Sequence, residues 1–272
     1  MTLQKINYAE TAKSLRREIL IMLHRANGSF AGGALSCIDI ITVLFHGFMR
    51  FNPRNPKDPN RDMFILSKGH SSSALYAGLY SVGMIDRETL ASYGMDGSSL
   101  IIHPKKDSYP GIDVSSGALG HGIALGTGSA LAARIMGSGA RVFVLMGDGE
   151  CNEGSVWENA AFASRQKLGN LTVIVDRNGL QGCGYDKDVL NYGDMGEKFR
   201  AFGFHVIDID GHNYGEIEES LERVISNDQN KPAAIIAETI KGKGVSFMEN
   251  RLEWHYKSLN DEQLKVAMGE LA

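Results

Sequence analysis

Two loops in this sequence carry residue types suited to holding a hard cation against an anionic ligand. The first, Gly147-Asp148-Gly149, follows the apolar run Val142–Met146. The second, Asp176-Arg177-Asn178-Gly179, follows Leu171–Val175. A diphosphate needs a cation to bridge its oxygens. Mg²⁺ takes carboxylate, amide and carbonyl oxygens in octahedral array, and Ca²⁺ or Mn²⁺ accept the same donors. Asp148 offers a carboxylate, Asn178 an amide oxygen and Leu180 a backbone carbonyl. Gly147 and Gly149 let the backbone come close to phosphate oxygens. A helix opening near Gly154 would aim its N–H groups at the same anion. A glycine–aspartate–glycine turn alone is a weak signal. The same turn with an asparagine after the next strand is far more specific.

Both loops need strands to present them at one edge. The runs Met63–Leu66, Val142–Met146, Leu171–Val175, Phe204–Ile209 and Ala234–Glu238 have strand length, and the second and third are nearly continuous and β-branched. That pattern fits strands buried on both faces of a parallel sheet. Helical patterns at Ala118–Met136, Val156–Lys167 and Tyr214–Ser226 alternate with them. The expected fold is α/β, a doubly wound, mostly parallel sheet with helices on both faces and its ligand at the carboxyl ends of the strands. Two more helices are expected upstream. One covers Ala9–Ala26, with Arg16, Arg17 and Glu18 between its apolar positions. The other, Ile38–Met49, stops before the loop containing Pro53, Pro56 and Pro59.

The 272 residues suit one large α/β domain or two small ones, and no internal repeat stands out. With 43% apolar and 22% charged residues and a net charge of −4, nothing points to nucleic acid or an anionic membrane as partner. The longest apolar helical stretch, Ser36–Met49, is interrupted by Asp39 and His46, so no membrane span is expected. Cys37, Cys151 and Cys183 are sparse and widely separated, as in a reducing compartment. The N-terminus contains acids and lacks a signal peptide's apolar centre, so a cytoplasmic location is expected.

The paired loops resemble the thiamine-diphosphate fingerprint, and the chain resembles the N-terminal half of transketolase from about Leu15 to Asn260. Four segments carry the resemblance: LSKGHSSSALYA at 66–77, HPKKDSYPGIDVSSGALGHGI at 103–123, GDGECNEGSVWE at 147–158 and KGKGVSFMENRLEWH at 241–255. The resemblance implies one thiamine-diphosphate-binding domain over residues 1–272, with thiamine diphosphate and a divalent metal as cofactors. It implies that Asp148, Asn178 and the Leu180 carbonyl hold the metal, with Gly147 and Gly149 at the diphosphate. His70 matches a histidine near the diphosphate and the reacting centre, His103 one that contacts the donor hydroxyl, and His255 one at substrate and diphosphate. Gly117 and Leu119 match residues lining the aminopyrimidine, and Glu153 a glutamate at the subunit interface beside the cofactor ring. His121 carries less weight. His24 and His46 read as structural, and His205 and His212 receive no role. The three matched histidines would move protons, since unperturbed imidazole titrates near neutrality.

A transketolase polypeptide is about twice this length, as the resemblance implies. The pyrimidine-binding domain, with the glutamate that activates the cofactor, is therefore expected on a partner chain, two copies of each making an α2β2 assembly. The segment Phe247–Trp254 and the helix near Glu153 are candidate interface surface. The reaction implied is transfer of a two-carbon ketol unit from a ketose or its phosphate to an aldose. Phe30 stands where common transketolases carry a substrate-contacting histidine, and Tyr256 stands where a glycine is usual. Losing a polar contact there changes which hydroxyl can be held, so a specialised sugar substrate is expected. Alternatives are a 1-deoxyxylulose-5-phosphate synthase-like or 2-oxoacid dehydrogenase-like enzyme, or a non-catalytic cofactor-binding subunit.

Overall fold

The computed structural model describes residues 6–226 and 230–272. Helices α1 (Tyr8–Arg25) and α2 (Ala31–Val43, continued by a π-helical turn, Leu44–Phe48) precede strand β1 (Met63–Leu66). Helices α3 (Ser72–Ser81), α4 (Arg87–Ala91) and α5 (Gly122–Met136) lead to β2 (Val142–Gly147). Then follow α6 (Gly154–Arg165), β3 (Leu171–Arg177), α7 (Asp186–Val189), α8 (Met195–Ala201), β4 (His205–Asp210), α9 (Tyr214–Ile225), β5 (Ala233–Glu238) and α10 (Asp261–Glu270). All strand pairs are parallel, in the order β1-β2-β3-β5-β4.

Alternate strand residues feed two separate cores, which is why the strands read as unbroken apolar runs. Phe143, Leu145, Ile174 and Ile235 face the layer of α1, α2, α3 and α9. Val142, Val144, Val173, Val175 and Ile236 face the layer of α5, α6 and α8. The register sets Gly147 beside Asp176 and Asp176 beside Ala237, so the loops leaving β2, β3 and β5 emerge at one level.

Each expected strand and helix is present, with ends shifted by a few residues, but four readings change. The second helix begins at Ala31 rather than Ile38. Every residue of Ala31–Val43 is buried, so no amphipathic period marks its start, and Gly32 and Gly33 are weak helix formers. Together with the π turn, this stretch is an 18-residue helix, Ala31–Phe48, long and apolar enough to cross a membrane. It is 83% buried inside the protein, as befits a central core helix. Arg16 lies on the buried face of α1, because Asp39 on α2 pairs with it at 2.6 Å. Finally, Met248 and Trp254 belong to the core, and Trp254 Nε1 donates to the Phe247 carbonyl at 2.9 Å. Within the Phe247–Trp254 segment, Met248 and Trp254 thus face inward, while Asn250, Arg251, Leu252 and Glu253 stay exposed.

Candidate active site

A cleft of about 430 Å³ opens at the carboxyl edge of the sheet. Loops leaving β1, β2, β3 and β5 and the N-terminus of α2 form its walls. It gathers Phe30, His70, His103, Gly117, Leu119, Gly147, Asp148, Gly149, Asn178, Leu180, His255 and Tyr256. Glu153 stands outside it, exposed at the start of α6 and close to Gly120. The turn that faces the cleft is Gly149–Asn152, a short 3-10 helix, so the α6 N-terminus does not line the cleft as expected. His121 is likewise exposed outside it. A larger cleft, about 850 Å³, lies at the opposite edge beside Met63 and Val142 and is lined by Asp107–Asp113, but it holds none of the candidate site residues.

Asp148 caps the turn that follows β2. Its carboxylate is 3% exposed and accepts two backbone N–H groups, Gly149 at 2.7 Å and Gly179 at 2.6 Å. No lysine, arginine or histidine among the described residues pairs with it, and burial, then repulsion from Asp176, pushes it up to about 6. A buried carboxylate without a cation is electrostatically incomplete. Asn178 Oδ1 accepts the Leu180 N–H at 3.2 Å and keeps a second lone pair, while its Nδ2 meets Asp176 at 3.3 Å. This set of hard oxygens fits a divalent cation. No group of three His, Cys, Asp or Glu side chains placed to hold a metal ion is found among the described residues. The expected donors, one carboxylate with an amide and a carbonyl, do not need them.

The structure gives a place in the site to residues that lie inside the matched segments but received no role from sequence. Lys241, from the loop after β5, is buried, and its Nζ lies 3.0 Å from the Leu180 carbonyl oxygen and 3.0 Å from His255 Nδ1. Burial, then repulsion from Lys68, pulls its pKa down to about 8. Lys68, after β1, donates to Asp176 and, at 2.6 Å, to the Gly33 carbonyl. Burial opposes that charge, but Asp176 prevails and holds Lys68 above its ordinary value. Glu150 accepts from Ser67 and from the Gly120 N–H at 2.8 Å, tying the Gly147–Gly149 turn to the Gly117–Gly122 loop. A lysine is a common residue type in sequence, and only the fold tells a buried one from a surface one.

The three histidines converge around Phe30. Its ring lies 5.2 Å from His70, 5.5 Å from His255, 6.3 Å from His103 and 6.1 Å from Tyr256, between centroids. Phe30 sits at φ 73° just before α2, a left-handed conformation that costs a bulky residue free energy. Burial, then Lys68, holds His70 well below the usual imidazole range. Burial, then Lys241 and Lys68, holds His255 at about 4. Both rings are therefore neutral at pH 7, not the near-neutral titrating groups that unperturbed values suggest. Gly117 has φ 126°, and a Cβ there would lie 2.5 Å from His103 Cδ2. At Gly182 a Cβ would meet the Tyr256 hydroxyl at 2.4 Å, so the tyrosine fills the space a larger residue would need.

Fold and cleft together define an α/β domain of the doubly wound class, with its candidate site at the carboxyl edge. Residues 8–271 match the family described as transketolase, thiamine diphosphate binding domain. The chain is 38% identical to one of the apulose-4-phosphate transketolase subunits, that of Actinobacillus succinogenes, over 96% of this chain and 94% of that one. It is 36% identical to the 6-deoxy-6-sulfo-D-fructose transketolase subunit of a Clostridium species, over 100% of this chain and 98% of that one. The transketolase structure from Campylobacter jejuni superposes with a TM-score of 0.91 at 31% identity, over 98% of this chain and 43% of that one. The chain belongs to the transketolase family and carries its thiamine-diphosphate-binding domain, spanning less than half of the Campylobacter enzyme and nearly all of the two subunits.

Proposed function

We propose that this chain is the diphosphate-binding subunit of a two-chain transketolase that moves a two-carbon ketol unit from a ketose, free or phosphorylated, to an aldose. The observation that carries the reading is the placement of Asp148 and Asn178 at the ends of adjacent buried strands, facing a cleft that also holds Lys241 and three histidines. In this reading Asp148, Asn178 and the Leu180 carbonyl hold Mg²⁺, and Lys241 and His255 meet the diphosphate. Bound thiamine diphosphate supplies the carbon nucleophile and electron sink. Gly117 and Leu119 bound the pocket for its pyrimidine. Neutral His70 and His255 each keep one ring N–H to donate to substrate oxygens, and His103 meets the donor hydroxyl. Phe30 and the neighbouring aromatic rings exclude water from the imidazoles.

The partner supplies the pyrimidine-binding domain and the group that activates the cofactor, two copies of each chain forming the assembly. Its contact surface in this proposal runs along α5 and α6, where Ile135 is 76% and Met136 68% exposed, with Leu119, Leu125 and Phe162 also exposed and Glu153 at the cleft end. The relatives named for apulose 4-phosphate and 6-deoxy-6-sulfo-D-fructose are named for uncommon sugars. Phe30 and Tyr256 support a specialised sugar here too, because both place aromatic bulk where substrate would lie. Purifying the chain with and without its partner and assaying glycolaldehyde transfer across a panel of ketoses and aldoses tests the reading. Transfer only by the pair is expected. Pyruvate decarboxylation by the pair, or no turnover with any ketose, would refute it.

A further inference from the structure

The Asp210-Gly211-His212-Asn213 turn has no chemistry assigned to it, yet one imidazole links it to the cleft. His212 Nδ1 lies 2.7 Å from Asp39 Oδ2, and His212 Nε2 lies 2.9 Å from the Ile240 backbone nitrogen. The Ile240 N–H can only donate, so Nε2 is the unprotonated nitrogen and Nδ1–H donates to Asp39. Asp39 also accepts from Arg16 Nη1 at 3.0 Å and Nη2 at 2.6 Å, and from the Tyr214 hydroxyl at 2.7 Å. Arg16 Nε then donates to the Lys243 carbonyl at 3.0 Å.

One carboxylate thus anchors, through two side chains, the residues on either side of Lys241-Gly242. The Gly242 N–H donates to the Gly32 carbonyl at 2.9 Å, two turns before Asp39 on the same face of α2. Lys241 packs tightly there, for a Cβ at Gly32 would lie 2.9 Å from its Cγ. The loop is held at Ile240, Gly242 and Lys243, and the side chain between them enters the cleft. The Arg16–Asp39 pair alone would join α1 to α2. His212 adds a bond to the loop, and a buried polar link of this kind is weak support for stability in itself.

We propose that His212, oriented by Asp39, is a positioning residue for Lys241: it fixes the 240–243 loop so that the ammonium meets the Leu180 carbonyl and the anionic oxygens of the diphosphate. The inference rests on the reading that the cleft takes thiamine diphosphate.

The test uses the full chain with its partner and the variants H212F, H212Q, K241M and H212F/K241M. Thiamine diphosphate affinity is measured by calorimetry at fixed Mg²⁺, and backbone amide exchange at Ile240 without cofactor. H212F is expected to weaken affinity about tenfold, the loss of one hydrogen bond, and to speed exchange at Ile240. H212Q, which keeps a donor and an acceptor, should stay within about threefold. In the K241M background H212F should cost less than about twofold, because the residue it positions is gone. Should H212F not fold, H212N takes its place, its shorter amide reaching Asp39 but not Ile240, with the same expectations. Equal weakening by H212F in both backgrounds, or unchanged affinity, overturns the positioning role alone. No binding by the unaltered pair overturns that role and the function reading together.

Discussion

Lys241 Nζ lies 3.0 Å from His255 Nδ1, so the lysine donates and the imidazole accepts. That single contact fixes the tautomer of His255 and leaves its Nε2–H to face the cleft, 3.2 Å from where a side chain at Gly182 would begin. Burial first, and then the charges of Lys241 and Lys68, keep the ring neutral. The pair presents one ammonium and one neutral donor side by side, an arrangement suited to an anion flanked by hydroxyls.

Replacing Lys241 by Met should weaken thiamine diphosphate binding roughly tenfold to a hundredfold, the value of one charge-assisted hydrogen bond of about 1.5–3 kcal/mol. Calorimetry on the two-chain enzyme measures it. Unchanged affinity would show that Lys241 does not touch the ligand.

Asp148→Asn loses the acceptor for one of the two backbone N–H groups, Gly149 or Gly179, at a cost of about 1–3 kcal/mol of stability, and should remove the metal-dependent part of cofactor binding. Titrating Mg²⁺ at fixed thiamine diphosphate should give affinity more than about a hundredfold weaker, as expected when a ligating carboxylate is lost. A variant that still binds cofactor with ordinary metal dependence would remove Asp148 from the metal site.

Phe30→His restores a polar group among His70, His103 and His255 and should raise kcat/KM for common pentose phosphates at the expense of the native sugar, by roughly tenfold or more. Gly182→Ala should lower activity by displacing Tyr256, and Tyr256→Gly should relieve that clash, so the double variant exceeds the sum of the singles. Additive losses, or full activity of the unaltered enzyme on xylulose 5-phosphate with ribose 5-phosphate, would end the specialised-substrate proposal.

Burial opposes ionisation of Asp39, but His212 and Arg16 hold its carboxyl down at about 2, against an ordinary 3.8. The unfolded chain therefore binds this proton more readily than the folded one. The stability that Asp39 lends is complete above about pH 4 and is lost as pH falls toward 2, to the extent of about 2 kcal/mol. Asp39→Asn should destabilise the protein at pH 7, because Arg16 is left buried and unpaired. Its acid limb should be flatter. Urea melts at pH 5, 4 and 3 check this, and parallel acid limbs would contradict it.

Ile135→Glu or Phe162→Glu should leave the isolated chain's thermal midpoint nearly unchanged, since both side chains are exposed, and weaken association with the partner at least tenfold. Analytical ultracentrifugation reads the assembly. Undisturbed association would place the interface elsewhere on the molecule.

The sequence by itself determined the strands, their parallel sense and the loops that bear Asp148 and Asn178, because unbroken β-branched runs between amphipathic helices have few other solutions. His70, His103 and His255 are picked out as a set only through the resemblance of their segments to transketolase. Only the tertiary structure decided which lysines enter the cleft, that Arg16 is buried, that α2 starts at Ala31, and that Trp254 is core rather than surface. These depend on partners far apart in the chain, Arg16 with Asp39, Lys241 with Leu180 and His212 with Ile240, and no local pattern of hydrophobicity or propensity records such pairings. The protonation states follow the same rule, for burial and neighbouring charge set them, and both are properties of the fold.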